Sequence, residues 1–206
     1  MRKLILVALI IQRVITVDIN GFQFGDIISF KPSCKTVWGK NFTYQHYAVY
    51  VGDRPLPGKK DGQNIFERIN NSPSCIFNKL DMAKEPEVFN YLDGYKDKKG
   101  QEWKAGTEAE MTARINKRKA NCGLYVVFAN NCEHLATYVR YGVKLALQYN
   151  MTGERRCFNN PFRIRAKDAV KYIRENEGLL NNGAGLQVFP QLTLSVCLAL
   201  FCIFLM

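Results

Sequence analysis

Histidine is nearly absent from this chain of 206 residues, which contains only His46 and His134. The cysteines include no C-x-x-C pair, so the sequence lacks the ligand spacing of a zinc site. It also lacks an RNP-like aromatic motif, zinc-finger spacing and a basic-leucine pattern. We therefore expect no metal and no nucleic-acid partner. With 29 Lys and Arg against 18 Asp and Glu, the net charge of +11 then favours the other common anionic partner, a membrane surface.

The cysteines are odd in number and scattered along the chain, at Cys34, Cys75, Cys122, Cys132, Cys157, Cys197 and Cys202. This distribution is weak evidence for a disulfide framework and fits a reducing compartment better. Apolar residues at 47% and charged residues at 23% are typical of a globular chain, and the length allows one domain with appendages.

Both ends of the chain are apolar. Residues 1–20 begin with Arg2 and Lys3 before an apolar run, as a signal peptide does, but no small-residue cleavage pattern follows. A cleaved signal, an interfacial helix and a buried first element all remain open. Residues 192–206 carry no charge, and counted from Leu186 the run reaches a marginal transmembrane length. We predict a catalytic domain over 21–150, a basic juxtamembrane segment over 151–185 and a membrane anchor over 186–206.

Hydrophobic patterns predict strands at 26–30, 44–51, 64–69 and 124–129. Alternation in the second strand places His46, Ala48 and Tyr50 on one face and Tyr47, Val49 and Val51 on the other. A capping box opens a basic helix over 107–120, and a further amphipathic helix is predicted over 166–177. The charged stretch 78–106 reads as a surface insertion with little regular structure.

The stretch from Asn130 to Gly142 is the candidate for chemistry. Asn131 is a favoured helix N-cap and Gly142 a favoured C-cap, so Cys132 is predicted to be the first helical residue. The positive end of the helix dipole favours a thiolate there. His134 points elsewhere on such a helix, which leaves His46 as the base for a Cys132 nucleophile. Glu67, on the next strand, is the best candidate to orient His46.

Three segments together resemble the lecithin:retinol acyltransferase family of the permuted NlpC/P60 thiol hydrolases, which includes the HRAS-like suppressor phospholipases. They are Asn131-Cys-Glu-His134 with Tyr138-Val-Arg-Tyr-Gly142, the pair Gly25-Asp26, and His46-Tyr-Ala-Val-Tyr-Val-Gly52, all within about residues 22–145. The resemblance implies a papain-like α+β fold, in which an antiparallel sheet packs on helices, and no cofactor. It also implies that Cys132 carries an acyl group taken from a glycerophospholipid.

Two departures separate this chain from the family pattern. The third catalytic residue is usually a second histidine, whereas the matching strand here offers Glu67, or Gln63 or Phe66 in a shifted register. Leu135-Ala136 also stands where an aromatic residue is more common. We expect a membrane-anchored thiol acyltransferase or phospholipase that passes the acyl chain to water, an amine or an alcohol. A silent membrane-tethered module and a thiol peptidase or amidase are the alternatives.

The two possible orientations of the domain have different support. The cysteine count, the need for a free thiol and the basic stretch 155–174 favour the cytosol. The signal-like start and the glycosylation sequons at Asn41, Asn70 and Asn150 favour the lumen, and the tail also permits a GPI signal. We predict a single-pass protein of the endoplasmic reticulum or another endomembrane, with the domain facing the cytosol.

Overall fold

The computed structural model describes residues 21–37, 40–69, 74–127, 129–148, 157 and 163–176. Within these residues, seven short strands precede three α-helices. The strands are β1 Ile27–Ser29, β2 Ser33–Val37, β3 Lys40–Tyr44, β4 Tyr47–Tyr50, β5 Ile65–Arg68, β6 Cys75–Asn78 and β7 Glu87–Val88. A 3-10 turn spans Met82–Lys84, and the helices are α1 Glu108–Ala120, α2 Cys132–Tyr141 and α3 Ala166–Glu175. The fold class is therefore α+β, as predicted.

Five strands form one antiparallel sheet in the order β6-β5-β4-β1-β7, and β2 and β3 form a separate antiparallel pair. In the centre of the sheet, Ala48 of β4 lies opposite Ile28 of β1 on one side and opposite Glu67 of β5 on the other. The strands predicted at 26–30 and 64–69 are confirmed as β1 and β5. The strand predicted at 44–51 is divided, because Tyr44 ends β3 and β4 begins at Tyr47.

The two faces of the sheet support two hydrophobic clusters. Tyr47, Val49 and Val51 belong to the larger cluster, which includes the buried residues of α2, whereas Ala48 and Tyr50 belong to a smaller cluster on the other face. The alternation predicted along β4 is confirmed. Burying one face of a strand fixes its register, since a slip by one residue would exchange its two faces.

Helices α1 and α2 begin and end where the sequence predicts. Thr107 forms a capping box with Glu110 at the start of α1. The Asn131 side chain accepts from the backbone N–H of His134 at the start of α2, and Gly142, with φ of 79°, ends that helix in the left-handed region. Helix α3 ends at Glu175, two residues before the predicted end.

Two predictions about loops are wrong. The run 124–129 is not a strand: Leu124 is 81% exposed, and the described residues of the run form a turn with one bridge between Val126 and Asn130. The stretch 78–106 is more than a surface insertion, because β7 pairs with β1 and Phe89 and Leu92 are buried in the larger cluster.

The prediction of little disulfide framework is also wrong. Cys34 pairs with Cys157, 123 residues apart in sequence, and Cys75 pairs with Cys122, 47 residues apart. The Cα atoms are 5.4 Å apart in both pairs, a usual separation for a disulfide. The sequence spacing could not reveal these pairs, because the strands and loops that bring them together are distant in the chain. Among the described residues, Cys132 alone is a free cysteine.

No helix within the described ranges is long and apolar enough to cross a membrane. The N-terminal segment 1–20 and the predicted anchor 186–206 lie outside these ranges. Most of the predicted juxtamembrane segment 151–185 lies outside them too, apart from Cys157 and 163–176, which contain α3.

Arg140 connects α2 to the sheet and to the loop after β7. Its guanidinium donates to the Gly25 carbonyl at 2.8 Å, to the Asp26 carboxylate at 3.3 Å and to the Asp93 carboxylate at 2.5 and 3.1 Å. Arg140 and Asp26 are both buried. The Gly25-Asp26 pair and the arginine of the helix motif are therefore parts of one structural contact.

We expect Arg140→Leu to lower the free energy of unfolding by about 3 kcal/mol, because it leaves the Asp26 carboxylate buried without its counter-charge. The matched control is Arg54→Leu, whose partner Glu108 is exposed, and which should cost less than about 1 kcal/mol. Urea unfolding midpoints measure both variants. Equal losses would show that the buried position of Arg140 contributes nothing special.

Candidate active site

The N-terminus of α2 presents the Cys132 side chain to the start of β4. Cys132, Leu135, Ala136 and Val139 form the buried stripe of the helix, and Cys132 has no exposed surface. Its sulfur lies 3.5 Å from the Tyr44 hydroxyl and is hydrogen-bonded by the backbone N–H of Tyr47. The helix packs its thiol end against the short connection between β3 and β4.

The structure brings His46 and Glu67 together beside this thiol. His46 Nε2 is 2.7 Å from Glu67 Oε2, and the imidazole also hydrogen-bonds Cys132. The sheet register explains the contact: Ala48 pairs with Glu67, so His46 and Glu67 are diagonal neighbours on one face. The three residues singled out from the sequence, Cys132, His46 and Glu67, therefore form one connected cluster.

Two further residues complete the cluster and were not singled out from the sequence. The Asn78 amide donates to Glu67 Oε1 at 2.8 Å, and the Tyr44 hydroxyl lies 3.1 Å from His46 Nδ1. Tyr44 was within reach of sequence reasoning, since it precedes His46 by two residues and shares its face in an extended chain. Asn78 lies at the start of the stretch that was interpreted as an insertion, and no sequence pattern indicated its contact with Glu67.

The electrostatics of the site favour a thiolate and an imidazolium. Burial by itself raises the pKa of the Cys132 thiol, but His46, Tyr44 and the Tyr47 amide outweigh it, so this pKa lies below its ordinary value. Burial likewise lowers the pKa of His46, but Cys132 and Glu67 raise it to about 9. Burial raises the pKa of Glu67, but its hydrogen bonds to His46 and Asn78 bring it below its ordinary value. The arrangement suits a nucleophilic thiol with a charged acid beside it.

The other two polar residues of the motif are structural. His134 is buried, its Nδ1 lies 2.9 Å from Asn131 Oδ1, and burial lowers its pKa to about 4, so it is neutral. Glu133 is buried, and burial raises its pKa to about 7. Its carboxylate accepts from the backbone N–H groups of Leu147 and Gln148 and fixes the segment after α2. Neither residue contributes to the cluster around Cys132.

No group of His, Cys, Asp and Glu side chains within the described ranges has the arrangement of a metal site. The residue types around Cys132 (Tyr, His and Glu, with one thiol) are those of acid–base and nucleophilic chemistry. The cluster places a histidine between a cysteine and a carboxylate, an arrangement that a thiol nucleophile requires.

The chain also matches a known family. The family model described as lecithin retinol acyltransferase matches residues 21–145, more than half of the chain. The chain belongs to this family. No curated protein and no solved structure gives a match. The matched residues contain Cys132, His46 and Glu67.

We expect Glu67→Gln to raise the pKa of Cys132, because His46 loses the carboxylate that supports its positive charge. The pH at which iodoacetamide alkylation of Cys132 reaches half its maximal rate should move upward. By comparison with orienting residues of catalytic triads, turnover of substrate should fall about 10- to 10⁴-fold. Glu87→Gln, an exposed carboxylate on β7, is the control and should change neither quantity. An unchanged alkylation profile in Glu67→Gln would show that Glu67 does not act through His46.

Proposed function

We propose that this protein is a membrane-anchored thiol acyltransferase or phospholipase that takes an acyl chain from a glycerophospholipid onto Cys132. The observation that carries the proposal is the 2.7 Å contact between His46 and Glu67 beside a buried thiol of lowered pKa. Family membership supports the acyl chemistry. Water, an amine or an alcohol then receives the acyl chain.

The first half-reaction forms a thioester. The Cys132 thiolate attacks the acyl carbonyl carbon, a C–S bond forms, and the ester C–O bond breaks. His46 has a pKa of about 9 and is therefore an imidazolium at neutral pH. It gives its proton to the departing lysophospholipid oxygen. In the second half-reaction the neutral imidazole takes a proton from the acceptor, which attacks the thioester and releases Cys132 as thiolate.

The oxyanion of each tetrahedral intermediate needs hydrogen-bond donors. We assign this role to backbone N–H groups at the start of α2 and to the Tyr44 hydroxyl, which lies 3.5 Å from the Cys132 sulfur. Both are fixed before the reaction, Tyr44 by β3 and the amides by the Asn131 cap. Fixed donors stabilise the developing charge without reorganisation.

The finer architecture belongs to the same proposal. A nucleophile at the start of a helix, packed on an antiparallel sheet that carries the histidine, is the arrangement of papain-like hydrolases, and here His46 precedes Cys132 as in the permuted group. The division into a catalytic domain at 21–150 and an anchor at 186–206 stays a prediction. Such an anchor would hold the site at the surface where its phospholipid substrate lies.

The two disulfides bear on the orientation of the domain. Disulfides persist in oxidising compartments and are rare in the cytosol. Four of the seven cysteines are paired, so cysteine usage now supports the luminal alternative, together with the three sequons. The sequence alone favoured the cytosolic orientation. We propose instead that the domain folds in an oxidising compartment, with Cys132 kept unpaired by its burial in the larger hydrophobic cluster.

The silent-module alternative depended on Glu67 standing where a histidine is usual. A carboxylate that accepts a hydrogen bond from His46 and one from Asn78 is a competent orienting group, so the departure does not itself argue for inactivity. Nothing in the site favours a peptide substrate over a lipid.

Phospholipid with a radiolabelled acyl chain should transfer label to the full-length protein, because Cys132 forms the thioester. Neutral hydroxylamine should release this label. Cys132→Ser is the matched control, since any ester on the serine oxygen resists hydroxylamine, and Cys132→Ala should remain unlabelled. Label on Cys132→Ala would place the acyl group elsewhere. Failure of the native protein to turn over any phospholipid, while Cys132 still reacts with iodoacetamide, would support the silent module.

Protein made in animal cells and denatured without reductant should react with a maleimide polymer only at its unpaired cysteines. We expect Cys75→Ser to expose one additional thiol, that of Cys122, because Cys122 loses its disulfide partner. Endoglycosidase treatment of the same sample should increase gel mobility. Reaction of all cysteines with the maleimide polymer, together with unchanged gel mobility, would contradict this proposal and support the cytosolic orientation.

A further inference from the structure

A cluster of positive side chains lies beside the loop 122–130 that precedes Cys132. It consists of Arg68 from β5, Lys117 and Arg118 from α1, and Lys144 after α2. Arg68, Arg118 and Lys117 all act electrostatically on Lys144 and, with its burial, lower its pKa. No carboxylate of the described residues forms a salt bridge with any of the four, whereas the buried Arg140 and the partly buried Arg163 are each paired with a carboxylate.

The two arginines of the cluster are fixed in place. Arg68 has no exposed surface, and its guanidinium donates to the carbonyls of Cys122 and Gly123 at 2.5 and 2.7 Å. Arg118 donates to the Cys122 carbonyl at 2.7 Å and to Asn130 Oδ1 at 2.8 Å. The Nε atoms of both arginines are buried without a hydrogen-bond partner in the described part of the chain. The Cys132 thiolate acts electrostatically on Arg68. Arg118, Lys117 and Lys144 have no carboxylate partner among the described residues, so an anion beside these three would be stabilising.

Apolar side chains project from the same loop. Leu124 is 81% and Val126 is 45% exposed, and Asn130 holds the loop by donating to the Leu124 carbonyl at 2.8 Å. Single exposed apolar residues are ordinary. Here they follow Cys122 and Gly123, whose carbonyls accept hydrogen bonds from Arg68 and Arg118. By contrast, the exposed Val88 follows Glu87, which pairs with Arg163.

We propose that Leu124, Val126, Arg118, Lys117 and Lys144 form a docking surface for a glycerophospholipid bilayer. The two apolar side chains enter the acyl-chain region, and the cations lie at the level of the lipid phosphates. Charge complementarity selects this occupant, because apolar residues flanked by unpaired cations match the layered chemistry of a bilayer surface. The inference rests on the proposed function only for the further step that this lipid is also the substrate.

The docking surface is connected to the nucleophile. Tyr125, between the two apolar residues, hydrogen-bonds Tyr44, whose hydroxyl faces Cys132 at 3.5 Å. Cys132 itself has no exposed surface, so a lipid ester reaches it only if neighbouring side chains move. If Leu124 and Val126 hold the loop in the bilayer, the side chains that must move lie beside the lipid ester that is to reach Cys132.

The first test measures insertion and needs no activity. Leu124→Trp in the full-length protein, reconstituted in vesicles of phosphatidylcholine and phosphatidylglycerol, should be quenched by lipids brominated on the acyl chain. Val88→Trp is the matched control, and the parent protein corrects for the native tryptophans. Quenching of Leu124→Trp well above the control supports docking. Quenching equal to the control overturns it, and would leave a protein or peptide partner for this surface.

The second test compares rates on two substrates, the vesicle phospholipid and a soluble short-chain ester. We expect the ratio of the vesicle rate to the soluble rate to fall about tenfold in Leu124→Gln, since burial of a leucine is lost. It should fall about fivefold in Lys144→Gln, in vesicles with an anionic lipid at low salt. Val88→Gln and Lys104→Gln are the matched controls, with unchanged ratios.

The two tests separate the two proposals. Selective quenching of Leu124→Trp in a protein without activity on either substrate supports docking and overturns the proposed function alone. Activity on both substrates, with ratios unaffected by Leu124→Gln and Lys144→Gln and without selective quenching, overturns docking alone.

Discussion

The structure around the candidate site depends on one charge pair, the Cys132 thiolate and the His46 imidazolium. Both groups lie where burial disfavours charge, so each is charged only because the other is. Glu67 accepts a hydrogen bond from His46, and the Tyr47 amide donates one to Cys132. These two hydrogen bonds stabilise the charge pair in its buried position. The pair also explains why a fully buried cysteine is not simply a small apolar residue of the core: its neighbours include a tyrosine hydroxyl, an imidazole and a backbone N–H.

This pair is a product of sheet register and helix capping. The pairing of Ala48 with Glu67 places the carboxylate diagonally across from His46, and a slip by one residue would turn Glu67 to the opposite face. On the other side, the Asn131 cap and the Gly142 stop fix where α2 begins and ends. Arg140, the penultimate residue of α2, joins the helix to the Gly25-Asp26 turn. A residue far from the thiol therefore helps to hold its helix against the sheet.

Local signals predicted the parts of this arrangement that local chemistry controls. The caps of α1 and α2 and the alternation of β4 were readable because each depends on a few neighbouring residues. The run from Leu124 to Ala129 was misread because apolar and β-branched residues are typical of a buried strand. Instead, two arginines from other elements, Arg68 and Arg118, bind the carbonyls of Cys122 and Gly123 at the start of this loop. Disulfide partners and the Asn78 contact to Glu67 were beyond prediction, since they depend on the sheet order.

The exchange of the usual third histidine for Glu67 has a physical consequence for the chemistry. A neutral orienting group fixes the imidazole ring, but a carboxylate also favours its charged form. That contributes to a His46 pKa of about 9, well above its ordinary value of 6.5. In the proposed mechanism, the imidazolium that protonates the leaving group is charged at neutral pH and loses its proton only as the pH rises through about 9. The carboxylate thus favours the first half-reaction. In the second half-reaction, the neutral imidazole accepts a proton from the acyl acceptor, and no thiolate lies beside it because Cys132 is then a thioester.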